Sequence, residues 1–292
     1  MHSFTIKDLE NLSGIKAHTI RIWEQRYSFL KPERTDTNIR YYSNDELKQV
    51  LNIALLNKFG YKVSHIDKMG REEIKTKILS LNQAEAQQER VINELIQGMI
   101  ELNAARFESV LDNYIESRGI EKAILQIIFP YLEKTGILWL TNHINPAQEH
   151  LASNIIRQKL VVAIDNISLP VRADKTILLF LPEGEHHELS LLFVHFLLKN
   201  KGIATIYLGC DMPLGELEYV IQLKKPDYLY THLTSKGRKF NFDKFIAAIV
   251  KTGDGIPVII SGQLTHTYEK KIHPPVYFKK SFSAVMEFVS GL

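Results

Sequence analysis

The chain has 292 residues, 45% hydrophobic and 24% charged, with a formal net charge of +3. That balance supplies more than one core and confines any nucleic-acid surface to a local patch. A single cysteine, Cys210, excludes an intramolecular disulfide framework, a cysteine zinc finger and a thiolate-ligated iron–sulfur cluster. Asp8 and Glu10 come before any apolar stretch, unlike a signal peptide, and no run of about 18 apolar residues occurs, so a soluble, cytoplasmic protein without a membrane partner is expected.

Residues 1–75 predict short helices and a hairpin. Thr5 and Asp8 fit a capping box opening a helix over Ile6–Leu12, with Ile6, Leu9 and Leu12 inward, and Ser13-Gly14 ends it. A second helix runs from about His18 to Tyr27, and Lys31-Pro32 closes that stretch. Residues 33–42 read as a β-hairpin with Asn38 at a left-handed position. Ser43 and Glu46 form a second capping box, opening a helix to about Phe59 that Gly60 ends.

Residues 76–168 follow a helical period throughout. Val91, Leu95, Met99 and Leu102 share one face, as do Phe107, Val110, Leu111 and Tyr114. Arg118-Gly119 precedes a third helix, Ile120 to about Leu140, and Asn145-Pro146 caps and starts a fourth. Four helices with short turns predict a bundle. Residues 169–292 alternate short apolar runs with amphipathic helices. The runs Thr176–Leu181, Ile203–Leu208, Tyr228–Leu233, Pro257–Ile260 and Val276–Phe278 predict a doubly wound parallel sheet. In such sheets ligands sit at the strand carboxyl ends, which gathers Pro182–His187, Gly209–Pro213, Thr231–Ser235 and Ser261–Gln263 around one crevice. The fold class is thus multidomain α and α/β: a winged helix-turn-helix, a four-helix bundle and a Rossmann-like, flavodoxin-like sheet.

Between positions 16 and 40, Lys16, Arg21, Arg26, Lys31, Arg34 and Arg40 face Glu24, Glu33 and Asp36, six minus three, or net +3. Basic side chains neutralise phosphates, while the second helix would read bases through Lys16, His18, Thr19 or Arg21. Tyr27, Tyr41 and Tyr42 offer hydroxyls to phosphates. A solvated charged surface is the plain alternative. The run Thr19-Ile-Arg-Ile-Trp-Glu-Gln-Arg-Tyr27, then Pro32-Glu-Arg-Thr35 and Ile39-Arg-Tyr-Tyr-Ser-Asn-Asp-Glu46, resembles the DNA-binding domain of the MerR family. The resemblance covers about seventy residues and implies a dimeric winged helix-turn-helix on a double-stranded operator. Asn38 stands near where members often carry Gly, a conformation Asn tolerates.

Glu185 and His187 are two apart, so the carboxylate can hold one imidazole nitrogen and leave a metal to the other. The alternative is a solvated polar loop. With the strand pattern, this loop resembles the cobalamin-binding domain, where an acid, any residue and a histidine precede a Gly three residues on. Ser190 stands at that Gly position, Thr231-His-Leu233 at a Ser-x-Leu stretch and Ser261-Gly262 at a Gly-Gly pair. The resemblance implies that these loops line the slot for the nucleotide tail. The serines add bulk where the family keeps a close backbone approach.

Trp139, nine residues, then Glu149-His150 is a further spacing that ordinary packing and helix-end electrostatics also explain. It resembles the bundle of CarH-type light-responsive regulators. That resemblance implies a cobalamin, adenosylcobalamin foremost, sandwiched between bundle and sheet. It gives His187 as the lower cobalt ligand, Trp139 as cover for the upper group, Glu149 as its contact and His150 as a cobalt ligand after light. It also implies a homo-oligomer, dimer or tetramer, and no enzymatic activity. Two alternatives stay open: a MerR-type regulator that binds no cobalamin and answers to a partner, and a corrinoid carrier for methyl transfer.

Overall fold

The structure is a computed structural model that describes residues 4–140, 144–168, 174–234 and 240–292, with the side chains of residues 137–140 outside the description. The chain divides into two compact units, Met1–Ile156 and Arg157–Leu292. The first is helical apart from its hairpin; the second is α/β.

The first unit opens with helix α1 (Ile6–Ser13). Both halves of its capping box form: the Asp8 amide donates to Thr5 Oγ1 at 3.3 Å, and the Thr5 amide donates to Asp8 Oδ2 at 2.7 Å. Leu9 and Leu12 are buried, Ile6 only half so, and left-handed Gly14 ends the helix. Helix α2 (Ala17–Arg26) follows, with Ile20 and Trp23 in the core. Strands β1 (Glu33–Arg34) and β2 (Arg40–Tyr41) pair antiparallel, and Asn38 takes φ 64 between them as its residue type predicts. Ser43 and Glu46 cap α3 (Asn44–Lys58), whose apolar residues bury almost completely. The short helices α4 (Val63–Ile66) and α5 (Arg71–Leu79) complete this part.

Helix α6 (Ala84–Ile100) buries Leu95 and Met99, and α7 (Ala104–Arg118) buries Phe107 and Leu111. Leu102 departs from expectation. It lies beyond the end of α6 at φ 52 and is 48% exposed. The reason is the turn: the Asn103 amide closes on the Gly98 carbonyl at 2.8 Å, while the Asn103 side chain caps α7. The third helix is interrupted as well: α8 (Ile120–Ala123) and α9 (Phe129–Leu140) are joined by a π-helical turn, Ile124–Ile128. Pro130 explains it, since proline supplies no amide to the preceding turn and its ring crowds the carbonyl four residues back. Helix α10 (Pro146–Asp165) starts at the predicted cap, with the Ala147 amide donating to Asn145 Oδ1 at 2.9 Å. Buried Gln148 locks that start by donating to the Ile100 carbonyl at 2.7 Å.

In the second unit, all five expected strands form: β3 (Thr176–Pro182), β4 (Ala204–Met212), β5 (Tyr228–His232), β6 (Val258–Ser261) and β7 (Val276–Lys279). They are parallel, in the order β4-β3-β5-β6-β7. The chain leaves β3 to one side and returns as β5 on the other, which sets a switch point between β3 and β5. Strand β4 outruns its apolar stretch because a bulge near Gly209 lets it continue beside β3. Helices α11 (Glu188–Asn200), α12 (Leu214–Lys224), α13 (Phe242–Gly253) and α14 (Phe282–Ser290) complete the unit. Leu178, Leu229, Leu233 and Ile260 pack with Leu217 of α12 and Phe245 of α13. The opposite face holds Tyr230, stacked near Phe288 of α14. Among the described residues, no helix is long and apolar enough to cross a membrane.

Candidate functional site

Two sets of residues matter, one in each unit. In the first unit, burial of Ile20 and Trp23 turns the other side of α2 to solvent. His18, Arg21 and Arg26 are exposed there, Thr19 is half-buried, and Lys16 is exposed at the helix start. The hairpin arginines are bound differently. Arg40 Nε donates to Glu24 Oε2 at 2.7 Å, Arg34 pairs with the same carboxylate at 3.5 Å, and Arg34 also donates to Asn38 Oδ1 at 2.8 Å. Glu24 therefore ties the wing to α2, a role the charge pattern did not reveal. Tyr41 donates its hydroxyl to Glu33. Tyr27 is half-buried, its ring stacked on Phe29 at 5.6 Å. Tyr42 cannot offer a hydroxyl to phosphate: it is fully buried, bridged through its backbone to Phe4, and burial pushes its pKa up to about 12.

In the same unit, Glu149 and His150 occupy the first turn of α10. His150 is exposed, its side chain at 70%, with Nε2 3.4 Å from Glu149 Oε2. Trp139 lies on α9, and its side chain is outside the described residues.

In the second unit, the loop after β3 carries the acid–histidine pair. Glu185 is 4% exposed. Its Oε1 accepts from the His187 amide at 3.0 Å and from His187 Nδ1 at 2.5 Å, and its Oε2 accepts from the Thr234 amide at 2.9 Å. Burial alone would raise this carboxyl, but the hydrogen bonds from His187 and Thr234 outweigh it and hold the pKa at about 2. The His187 side chain is 53% exposed. An imidazole whose Nδ1–H is fixed by a buried carboxylate presents Nε2 for metal ligation, the usual arrangement behind a ligating histidine. Asp211, at φ 60, accepts from the Gly184 amide at 2.9 Å and so braces this loop against β4. Ser190 lies in the first turn of α11, half-buried.

The loops after β5 and β6 meet closely. A Cβ on Gly262, at φ +99, would stand 2.4 Å from the Leu233 carbonyl oxygen, so only glycine fits. Ser261 does not protrude from its strand end. Its hydroxyl is hydrogen-bonded to Tyr230 Oη at 2.7 Å and to His232 Nδ1 at 2.8 Å, on the α14 face. Thr231 points the other way, by the alternation of a strand, towards α12 and α13. It is fully buried, and its Oγ1 has no hydrogen-bond partner among the described residues. The structure thus brings Ser261 to His232 and Tyr230, not to Thr231. Tyr230 and His232 were missed by the sequence reading, although polar groups at alternate positions of a buried strand are the signal that finds them. Ser235 lies outside the described residues. A hollow of about 370 Å³ opens at the carboxyl ends of β3 and β4, lined by Pro182, Glu183, Met212 and Phe245 among others.

These residues suit a corrinoid: one exposed imidazole backed by a buried carboxylate at a switch point, and on the neighbouring strand β5 an orphaned buried hydroxyl, Thr231 Oγ1, that a ligand's polar group would satisfy.

Comparison with known proteins identifies two domains. Residues 4–73 match the MerR HTH family of regulatory proteins, and residues 91–163 match the B12 binding domain. The chain thus carries a MerR-type DNA-binding domain and a B12-binding domain, the make-up of a cobalamin-responsive DNA-binding regulator. The regulator is 29% identical over 259 residues to the HTH-type transcriptional repressor CarA of Myxococcus xanthus, covering 88% of this chain and 85% of that protein. It is 24% identical over 274 residues to CarH, an HTH-type transcriptional repressor of the same organism, covering 91% of each. Among solved structures, the Methanosarcina barkeri monomethylamine corrinoid protein superposes with a TM-score of 0.56 at 12% identity, covering 70% of the regulator and 100% of that chain. At that identity the likeness is one of fold.

Proposed function

We propose that this regulator is a cobalamin-responsive, light-responsive transcriptional repressor acting at a double-stranded DNA operator. The observation that carries the reading is the exposed His187 imidazole, its Nδ1 held by buried, ionised Glu185, in a chain whose other unit presents a winged helix-turn-helix. Adenosylcobalamin, if bound, would supply a light-sensitive cobalt–carbon bond. His187 would hold the lower side through Nε2, and Glu185 would keep its tautomer and ring orientation. The nucleotide tail would meet either Thr231 or Ser261, which lie on opposite faces of the sheet, with Leu233, Gly262 and Ser190 at the strand ends. Trp139, Glu149 and His150 would serve the upper side.

In this reading the chain keeps three functional parts, a DNA head over 1–75, a bundle over 76–168 and a cofactor sheet over 169–292. The head binds DNA as a homo-oligomer. Joining several heads raises the effective concentration of each at the operator, so any cofactor-linked change of oligomer changes repression.

The test is to purify the full chain with adenosylcobalamin in darkness and record its spectrum and oligomeric state before and after green light. Retained corrin, a light-dependent spectral change, and loss of the lower-ligand spectral signature in His187→Ala are expected. Failure to retain corrin would overturn the sensor reading. A second reading, a MerR-type regulator without cobalamin, is favoured by one observation: Tyr230, His232 and Ser261 fill the α14 face of the sheet at the end of β5 with mutually bonded side chains. There, His187→Ala would leave regulation unchanged.

A further inference from the structure

A cavity of about 280 Å³ lies within the first unit, where the head meets the helices that follow it. The turn between α1 and α2 lines it at Gly14, α3 at Lys58, α6 at Glu89 and Asn93, and α9 at Lys134. Three of these groups lack hydrogen-bond partners among the described residues: Lys134, Asn93 Oδ1 and the buried Glu89 Oε2. Lys134 makes no hydrogen bond or ion pair among the described residues, and burial lowers its pKa below the ordinary 10.5. The carboxylate whose charge acts on it, Glu89, forms an ion pair with Lys58 at 3.2 Å, and Lys58 also takes Glu85 at 2.8 Å. Asn93 is 6% exposed, and its Oδ1 has no hydrogen-bond partner.

An ammonium taken out of water without a counter-charge is costly, and so is a buried amide oxygen left unbonded. The two deficits are complementary in kind: one needs an anion, the other a donor. Lys58 holds both Glu89 in the lining and Glu85 beside it, so Lys134 is the one cation at the cavity that no carboxylate pairs among the described residues. A second cation is therefore disfavoured, and a neutral ligand would leave the ammonium unmatched. The volume is slightly below the roughly 300 Å³ at which sites for drug-sized ligands begin, so the occupant is small.

We propose that this cavity binds a small organic anion, a carboxylate or phosphate that also bears a hydroxyl. The anionic oxygens accept from Lys134 Nζ, and the hydroxyl donates to Asn93 Oδ1. The Gly14 turn leads directly into α2, so an occupant rests against the element that sets the recognition helix.

The experiment uses the full chain free of cobalamin, titrated calorimetrically at constant ionic strength with glycerol 3-phosphate, lactate and inorganic phosphate, and with glycerol as the neutral control. Saturable binding of the hydroxylated anions and none of glycerol is expected. Lys134→Met keeps the bulk, removes a charge that costs stability, and so folds; it is expected to weaken anion binding about tenfold or more. Asn93→Leu is expected to weaken the hydroxylated anions more than inorganic phosphate. Absence of saturable binding by all three anions, or unchanged binding in Lys134→Met, overturns the proposal. A rise in melting temperature of Lys134→Met with no anion bound by the parent would mean a water-filled cavity and overturns it equally. None of these outcomes involves His187 or a corrin, so the cobalamin reading stands or falls separately.

Discussion

Glu185→Gln probes the site at its hinge. The native carboxyl is held at about 2 rather than the ordinary 4.5, which corresponds to roughly 3 kcal/mol favouring the folded carboxylate at neutral pH. The amide has one acceptor oxygen where the carboxylate has two. Those two serve the His187 amide, the His187 ring and the Thr234 amide. At least one N–H would face the new NH2 group, a loss of about 1–3 kcal/mol. Both routes give the same expectation, a loss of about 2–3 kcal/mol near pH 7. The sign with pH follows from the depressed folded pKa. The stabilisation is complete above 4.5 and disappears as pH falls towards 2, when the native carboxyl also takes a proton. Urea unfolding of the full chain, followed by circular dichroism at about pH 7 and about pH 3, measures it. Equal stability of the two proteins at neutral pH, or a difference that persists undiminished in acid, would refute the assignment of Glu185 as an ionised anchor.

Gly262→Ala forces a side chain into φ +99 and within 2.4 Å of the Leu233 carbonyl, so a loss of about 2 kcal/mol or more in unfolding free energy, read as a lowered urea midpoint, is expected, and an unchanged midpoint would contradict the close approach. Arg21→Ala removes an exposed cation from α2 and should weaken operator binding while lowering the slope of log affinity against log salt by about 1, read by fluorescence anisotropy. Arg40→Ala instead releases Glu24 and should loosen the wing, seen as faster amide exchange in β2, with a smaller change in salt slope. His195 and His232 are both held near pKa 4 by burial, so stability should fall as pH drops from 6.5 to about 4, where only the unfolded imidazoles protonate, by up to ~3 kcal/mol each. His195→Phe, which keeps a ring against Tyr207, should flatten that part of the urea-midpoint profile, and an unaltered profile would count against it.

The architecture was legible where local chemistry acts alone. Both capping boxes, the left-handed Asn38 and the Asn145-Pro146 start rest on interactions between near neighbours, and the five strands show as short apolar runs, both of which sequence spacing records. What the spacing missed depends on partners far along the chain. Arg34 and Arg40 read as phosphate contacts until Glu24, on a different element, is seen to hold them. Tyr42 read as a surface hydroxyl because period alone does not show that Phe4 pairs with it. The π turn needed Pro130 to be weighed against a strongly apolar helix that continues past it.

The acid–histidine pair was legible for a related reason: two residues apart on one loop, its geometry is almost local. The tail slot was not, because there the answer depends on parity. In a strand a one-residue step reverses the face. Thr231 and His232 are adjacent, yet one is sealed against α12 and α13 while the other bonds Ser261 beside Tyr230. Choosing Thr231 as the slot residue therefore selects the opposite side of the sheet from Ser261. A ligand tail entering on the α14 side would have to displace the Tyr230–Ser261–His232 hydrogen bonds, whereas one entering on the α12 side would meet the unpartnered Thr231 hydroxyl. Tyr230→Phe and Thr231→Val separate these routes. If the tail enters past Tyr230, removing that hydroxyl weakens the closed network and strengthens cobalamin binding, while Thr231→Val leaves it unchanged. The reverse result, weaker binding in Thr231→Val alone, would place the tail against α12 and α13.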